Sequence, residues 1–322
     1  MEGMFLKVFT ILLFTTGIIW IANKIELYNQ KKTRFIKNIE IQKKNYHTKN
    51  TIKCKNKCFI KNIGGIFPIL LLIFIIRCFL YEPFYICSQS MFPELSTGDY
   101  IIVQKYSYGI SNPFTNHKII TFHHPKRGDV IIFRSLKDFN TMYIKRVIAI
   151  AGDKISYDHV NKKITIYKNY QNIQNNKNNK ISVHDKLIKK ENNYINKKIN
   201  FFTIIKNLFK EKKTLSMSDI HHNMYQENID NYKYNIILSN IQKNIIKSYF
   251  HQNNQPKQSW IVPKNQCFVM GDNRDNSIDS RSFGFVTENN ILGKANYIWM
   301  HIEKKEHQWP TGIDISRIGK IH

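Results

Sequence analysis

With 322 residues, 42% of them hydrophobic, the chain exceeds one typical domain and can fill a core besides membrane segments. Its net charge of +26 invites a nucleic-acid reading, but residues 24–62 and 161–257 carry 22 of those charges as dispersed lysines, without an arginine cluster or an aromatic nucleic-acid motif. That distribution excludes nucleic acid as a partner and leaves an anionic membrane surface; the same stretches are rich in Asn and Ile, the bias expected of A/T-rich codons.

Residues 8–22 are an apolar run between Lys7 and Lys24, which Met4 to Leu6 extend towards membrane-spanning length. No small-x-small cleavage site follows at Ile21-Ala22-Asn23-Lys24, so 1–23 reads as an uncleaved anchor rather than a signal peptide. Residues 24–62 hold 12 Lys or Arg against 2 acids and read as a cytoplasmic loop. The second apolar run, 63–81, has 19 residues with Arg77 near its end, where the side chain can snorkel to the interface, and reads as a second anchor. Both termini then face out, and everything after residue 81 lies outside the inner membrane.

The five cysteines are no disulfide framework. Cys54 and Cys58 have ligand-like spacing, but only His47 is nearby and a zinc site wants four ligands, so no metal is expected there. Cys78 falls in the second apolar run; Cys87 and Cys267 share the outer compartment, and whether they pair is open.

From Tyr85 onward the pattern is short and β-like: 100–103, 130–133, 143–150, 164–167, 267–270 and 295–300, with turn signals at 126–129 and Gly152-Asp153. This predicts mostly antiparallel β structure. Residues 161–260 contain 20 Asn and no Gly, an unusual composition for a β-ribbon. The apolar stretches 199–209 and 232–246 argue against wholesale disorder there, whereas 171–179 reads as disordered.

Chemistry is concentrated in three blocks. The first is the segment 88–93, Ser-Gln-Ser-Met-Phe-Pro, followed by Gly98-Asp99 with Ile101, Ile102, Val103 and Lys105. The second is Tyr143-Ile144-Lys145-Arg146-Val147, then Gly152-Asp153. The third is 271–281, Gly-Asp-Asn-Arg-Asp-Asn-Ser-Ile-Asp-Ser-Arg. A serine nucleophile needs a proton acceptor, and a lysine serves if apolar surroundings keep its amine neutral. In an extended strand Tyr143, Lys145 and Val147 face one way while Ile144, Arg146 and Ile148 face the other, so Lys145 can enter a pocket while Arg146 stays solvated. Three carboxylates in 272–279 invite a calcium reading, but Arg274 takes the third position of an EF-hand register and the required glycine is missing.

In this order and context the blocks resemble the bacterial type I signal peptidases, the leader peptidases: closely over 81–158 and 259–322, loosely over both anchors, weakly over 160–258. The resemblance implies a β-rich catalytic domain, 82–154 and 259–322, interrupted by an inserted second domain, 155–258. It implies Ser90 as nucleophile, Lys145 as general base, Ser88 completing the oxyanion hole with the Ser90 N–H, and Ser277 orienting the lysine amine. Asp279 and Arg281 are expected to pair and hold the Gly271 turn. The matched walls of shallow pockets for small residues, as in Ala-x-Ala signals, are Phe84, Ile86, Ile101, Ile132, Tyr143 and Ile144. No cofactor is required and no catalytic histidine; His123-His124 and His221-His222 read as surface residues. Trp299 and Trp309 are candidates for the membrane interface, with a core role equally open for Trp299. Expected partners are exported preproteins and inner-membrane lipid; the oligomeric state is open. The cysteine pair that family members often carry in the insertion is absent from residues 161–260. A cytosolic self-cleaving repressor shares such a dyad but lacks two membrane spans, and a membrane-tethered lipid-binding protein leaves Ser90, Lys145 and Ser277 without purpose.

Overall fold

The computed structural model describes residues 2–41, 64–113, 115, 118–135, 138, 141–170, 180–182, 186–187, 222–230, 232–239, 248–303 and 312–322. The expectations for Cys54, Cys58, His221, Trp309 and residues 171–179 and 199–209 lie outside them. The chain divides into two compact units, Met1–Leu80 and Tyr81–His322.

In the first unit helix α1 spans Glu2–Ile41, well past Lys24, where the apolar pattern stops. Hydropathy ends there but helix propensity does not, since Lys, Glu, Leu and Gln all favour the helix. Within it Leu6–Thr33 is long and apolar enough to cross a membrane. Thr10 and Thr16 donate their hydroxyls to the Leu6 and Leu12 carbonyls at 2.7 and 2.8 Å, one turn back, so no polar group is left open along the apolar stretch at these positions. Helix α2, Phe67–Ile75, starts beside Pro68 and continues as a π-helical segment, Ile76–Leu80. The apolar helix Phe67–Leu80 is shorter than a full span. The buried stripe Leu13, Thr16 and Gly17 of α1, at helical spacing, faces it. A Cβ on Gly17 would stand 2.9 Å from the Phe67 ring, and Trp20 also packs on that ring at 5.5 Å.

The second unit is antiparallel β structure. Its strands are β1 Tyr81–Tyr85, β2 Asp99–Gln104, β3 Gly109–Ser111, β4 Lys118–Thr121, β5 Val130–Arg134 and β6 Met142–Ile150. There follow β7 Lys154–Asp158, β8 Lys163–Tyr167, β9 Lys180–Ser182, β10 Lys186–Leu187, β11 His222–Ile229 and β12 Tyr232–Ser239. The last are β13 Ser259–Ile261, β14 Gln266–Met270, β15 Val286–Thr287, β16 Ile291–Glu303, β17 Gly312–Ile313 and β18 Gly319–Lys320. The main sheet runs β1-β2-β16-β5-β6-β14-β15, with β17 and β18 added along β16. β13-β7-β8-β9 and β10-β11-β12 form separate sheets, and β3-β4 is a two-stranded arm. β16 reaches so many partners because two bulges, at Ala295/Tyr297 and Ile298/Met300, bend it against β2.

Two apolar clusters matter for the site. Ile86, Met91, Leu95, Ile101, Val103, Ile132, Ile144 and Ala295 form one, with Phe84 and Met142 against it, so β1 and the first half of β6 share a core although they are distant in strand order. The other joins Ile148, Ala149 and Phe268 of the main sheet to Ile155, Ile164, Ile166, Tyr234, Ile236 and Trp260 of the strands between and beside them. The described strands of residues 155–258 therefore pack into the same core as β6 and β14.

Hairpins form here without glycine because other residues take the left-handed backbone: Lys162 at the β7–β8 turn has φ 54° and Asp230 at the β11–β12 turn φ 53°.

Candidate active site

Three segments converge. The chain leaves β1 and turns through Ser88–Glu94, with a cis bond at Phe92–Pro93, before Gly98 returns it to β2. Gly98 has φ +101°, and a side chain there would strike the Ile302 carbonyl at 2.5 Å. The return is fastened by Asp99, buried, which accepts from Ser96 N–H at 2.6 Å and from Arg317 Nε and Nη2 at 2.8 and 2.6 Å, and pairs with His301 Nδ1 at 2.6 Å.

Lys145 projects from β6 in register with Ile131 of β5. Its Nζ lies 2.7 Å from Ser90 Oγ and donates to the Ile144 carbonyl at 2.8 Å. The side chain is 3% exposed, and burial lowers its pKa to about 8; Asp279 and Asp272 oppose that shift and Arg281 adds to it. Ser88 Oγ stands 3.3 Å from Ser90 Oγ and is exposed.

The third segment follows β14. An ideal Cβ on Gly271 would lie 2.3 Å from Ser277 Oγ and 2.5 Å from the Ser90 carbonyl oxygen, so only glycine lets this turn close on the Ser90 loop. Ser277 Oγ is buried and has no hydrogen-bond partner among the described residues. Asn273 ties the same loop, its N–H donating to the Ser90 carbonyl and its amide to the Gln89 carbonyl, both at 3.1 Å. Asp279 accepts from Gly271 N–H at 3.1 Å and pairs twice with Arg281 at 2.8 Å, while Arg281 Nη2 donates to the Arg274 carbonyl at 2.6 Å. Burial alone would raise the Asp279 pKa; Arg281, the Gly271 N–H and Lys145 together hold it below the usual carboxylate value.

The alternation along β6 puts Lys145 and Arg146 on opposite faces, but Arg146 is not solvated: it is fully buried, with Nε and Nη2 on Asp272 at 2.8 and 2.7 Å. A counter-charge from the Gly271 block removes the need for water. Of the six proposed wall residues, Phe84, Ile86, Ile101, Ile132 and Ile144 pack in one cluster, with Ile101 and Ile132 wholly interior. Tyr143 stands apart from them, against Phe133 and Phe283, its ring 5.8 Å from the lysine amine. Cys87 and Cys267 are both free; Cys87 is exposed and Cys267 is buried against the Val286 carbonyl at 3.6 Å. His123 is exposed, and His124 pairs with Glu288 at 2.8 Å; neither bonds Ser90 or Lys145. Trp299 is exposed and packs edge-on to Tyr100 at 5.9 Å. No group of His, Cys, Asp or Glu side chains among the described residues is arranged to hold a metal. The buried arrays Asp99–His301–Arg317 and Glu227–Arg274 were missed in the sequence, because pairs separated by 47 to 218 positions leave no local pattern.

Comparison with known proteins gives a consistent result. A family model described as signal peptidase, peptidase S26, matches residues 59–300. A protein named signal peptidase I from Buchnera aphidicola subsp. Schizaphis graminum is 44% identical over 314 residues, covering 96% of either chain. Its namesake from Buchnera aphidicola subsp. Acyrthosiphon pisum is 45% identical over 95% of both chains, and one from Haemophilus influenzae is 31% identical over 79% of this chain and 73% of its own.

Proposed function

The chain belongs to the signal peptidase family, peptidase S26, and is a peptidase; from that premise we propose that it cuts signal peptides from exported preproteins after small-x-small sequences with a Ser90–Lys145 dyad. The observation that carries the reading is a lysine amine 2.7 Å from a serine hydroxyl, with burial lowering its pKa to about 8. Neutral Lys145 takes the Ser90 proton as Oγ attacks the scissile carbonyl; the C–N bond breaks, the amine leaves with a proton, and an acyl-enzyme remains. Lys145, neutral again after giving its proton to that leaving amine, takes a proton from water as the water oxygen attacks the acyl carbon, and returns it to Ser90 Oγ as the ester C–O bond breaks. Charge on the tetrahedral oxygen is met by the Ser90 N–H and the Ser88 hydroxyl. Ser277 orients the lysine from its place against Gly271.

Substrate docking has a backbone rationale. Among the described residues, 142–145 of β6 pair with β5 alone, since β14 joins from Arg146 onward, and β1 pairs only with β2. An extended signal peptide can add to these open edges as a strand. Phe84, Ile86, Ile144 and Tyr143, with Ile101 and Ile132 behind, then wall the pockets that admit only small side chains.

Two anchors, 1–23 and 63–81, flank the cytoplasmic loop 24–62, which places the catalytic domain, 82–154 and 259–322 with its insertion 155–258, on the periplasmic side of a bacterial inner membrane. Leu6–Thr33 supports the first anchor, and Phe67–Leu80 supplies part of the second.

The test is cleavage of a preprotein by the detergent-solubilised chain. Ser90→Ala, Lys145→Ala and Lys145→Arg are each expected to lower kcat by at least about 1,000-fold without unfolding, because nucleophile and base act as a unit and guanidinium does not give up its proton at working pH. Turnover near wild type in any of the three overturns the assignment.

A further inference from the structure

The back of the catalytic loop is gripped by the insertion. Glu227 of β11 is buried, and its two carboxylate oxygens take the two terminal nitrogens of Arg274. The Tyr234 hydroxyl, from β12, donates to the same carboxylate at 2.6 Å, and the Tyr234 ring lies 4.1 Å from the Arg146 guanidinium. Further along β12, Ile237 N–H donates to the Asp272 carbonyl at 2.9 Å and Ser239 N–H to the Asp275 carboxylate at 2.7 Å. Lys162, at the β7–β8 turn, reaches that carboxylate and the Ser239 carbonyl, both at 2.7 Å. Asp272, Arg274 and Asp275 are thus held from the insertion side, while Asn273 between them holds Ser90 and Gln89 on the other.

We propose that the β11–β12 hairpin is a positioning element for the nucleophile: Glu227, steadied by Tyr234, fixes Arg274 and through it the loop that sets Ser90 and Ser277 beside Lys145. This rests on the Ser90–Lys145 reading above. Glu227 touches neither substrate nor the reacting atoms, so its part is played wholly through Arg274. A buried ion pair adds little net stability over apolar side chains of the same volume, but removing one member leaves a buried charge that moves to find water. Were Arg274 to move so, it would draw Asn273 off the Ser90 carbonyl and loosen Arg281, whose Nη2 rests on the Arg274 carbonyl. A displacement of about 1 Å at a reacting group is enough to cost about 100-fold in rate.

The experiment compares Glu227→Ala, Glu227→Gln, Ser90→Ala and the parent chain on one preprotein, with thermal melting as the control for folding. Glu227→Ala is expected to lower kcat by about 10- to 100-fold with KM within about twofold, a split that places the loss in the chemical step. Its kcat/KM limb controlled by Lys145 is expected to move up in pH, as water reaches an amine now governed by burial, Asp279, Asp272 and Arg281. Glu227→Gln keeps an acceptor for Arg274 without the charge and is expected to recover part of the rate; should Glu227→Ala not fold, this isosteric variant carries the test by its own lower kcat and shifted limb. Parent-like kcat and an unmoved limb in folded Glu227 variants, with Ser90→Ala inactive, overturn the inference alone. Cleavage that survives Ser90→Ala overturns the Ser90–Lys145 reading and this inference with it.

Discussion

In the proposed dyad two demands meet in the Lys145 amine: it must be neutral to accept a proton, and the fold must shelter it. Its folded pKa of about 8 lies below the ordinary lysine value of 10.5, which fixes two signs. Activity needs the deprotonated form, so kcat/KM is expected to rise with pH through about 8 and level off above it; a limb near the ordinary histidine value would point to another base. Stability follows the same proton. Below pH 8 both folded and unfolded chains hold it, and the fold bears the full cost of a buried ammonium; between 8 and 10.5 the unfolded chain binds more protons, so stability climbs. Lys145→Met is therefore expected to exceed the parent in stability by up to about 3 kcal/mol near pH 7, the gap closing towards pH 10. Urea unfolding at several pH values measures it, and a gap that does not change with pH contradicts the shift.

At the scale of elements, the Gly271 turn is the joint between the Ser90 loop and its support. A methyl there would overlap Ser277 Oγ and the Ser90 carbonyl; a hydroxyl can rotate away, but a backbone carbonyl moves only with its residue. Gly271→Ala is expected to lower kcat by about 100-fold while the melting temperature falls only modestly, and unchanged turnover would show that the turn has slack. Much of this region was legible in the sequence. The run 143–150 appears as Met142–Ile150 and 267–270 as Gln266–Met270, because apolar runs bounded by turn residues are a local signal. The alternation also divides Lys145 from Arg146. What it does not carry is the partner: nothing near Arg146 announces Asp272, 126 positions away, and the expectation of a solvated arginine fails for that reason. Glu227 and Tyr234 were illegible for the same cause: the partners they hold, Arg274 and Arg146, lie far away in the chain.

For the whole molecule, the sharpest expectation is one of sidedness. The basic stretch 24–62 should stay cytoplasmic and Ser90 should face out, so protease added to intact spheroplasts is expected to digest the region after residue 81 and spare the loop. The reverse pattern would separate the dyad from exported substrates. The apolar pattern stops at residue 23, whereas α1 continues to Ile41 and its candidate span runs Leu6–Thr33, because hydropathy ends before helix propensity does.

The left-handed turns have a bearing on the genetic code. Glycine is the residue that backbone sterics prefer at positive φ, and all its codons begin with two guanines; a gene pressed towards adenine and thymine is short of them. Asparagine and lysine codons both begin with two adenines, and of the two asparagine tolerates the left-handed region better. The non-glycine residues at positive φ here include Asn169, Asn254 and Asn265, beside Asp230, Lys162 and Gln258. A protein read from such a gene can thus keep left-handed turns with asparagine, which nucleotide bias and backbone geometry both favour. Where Lys or Gln stands instead, at Lys162 and Gln258, the backbone carries a strain that glycine would not.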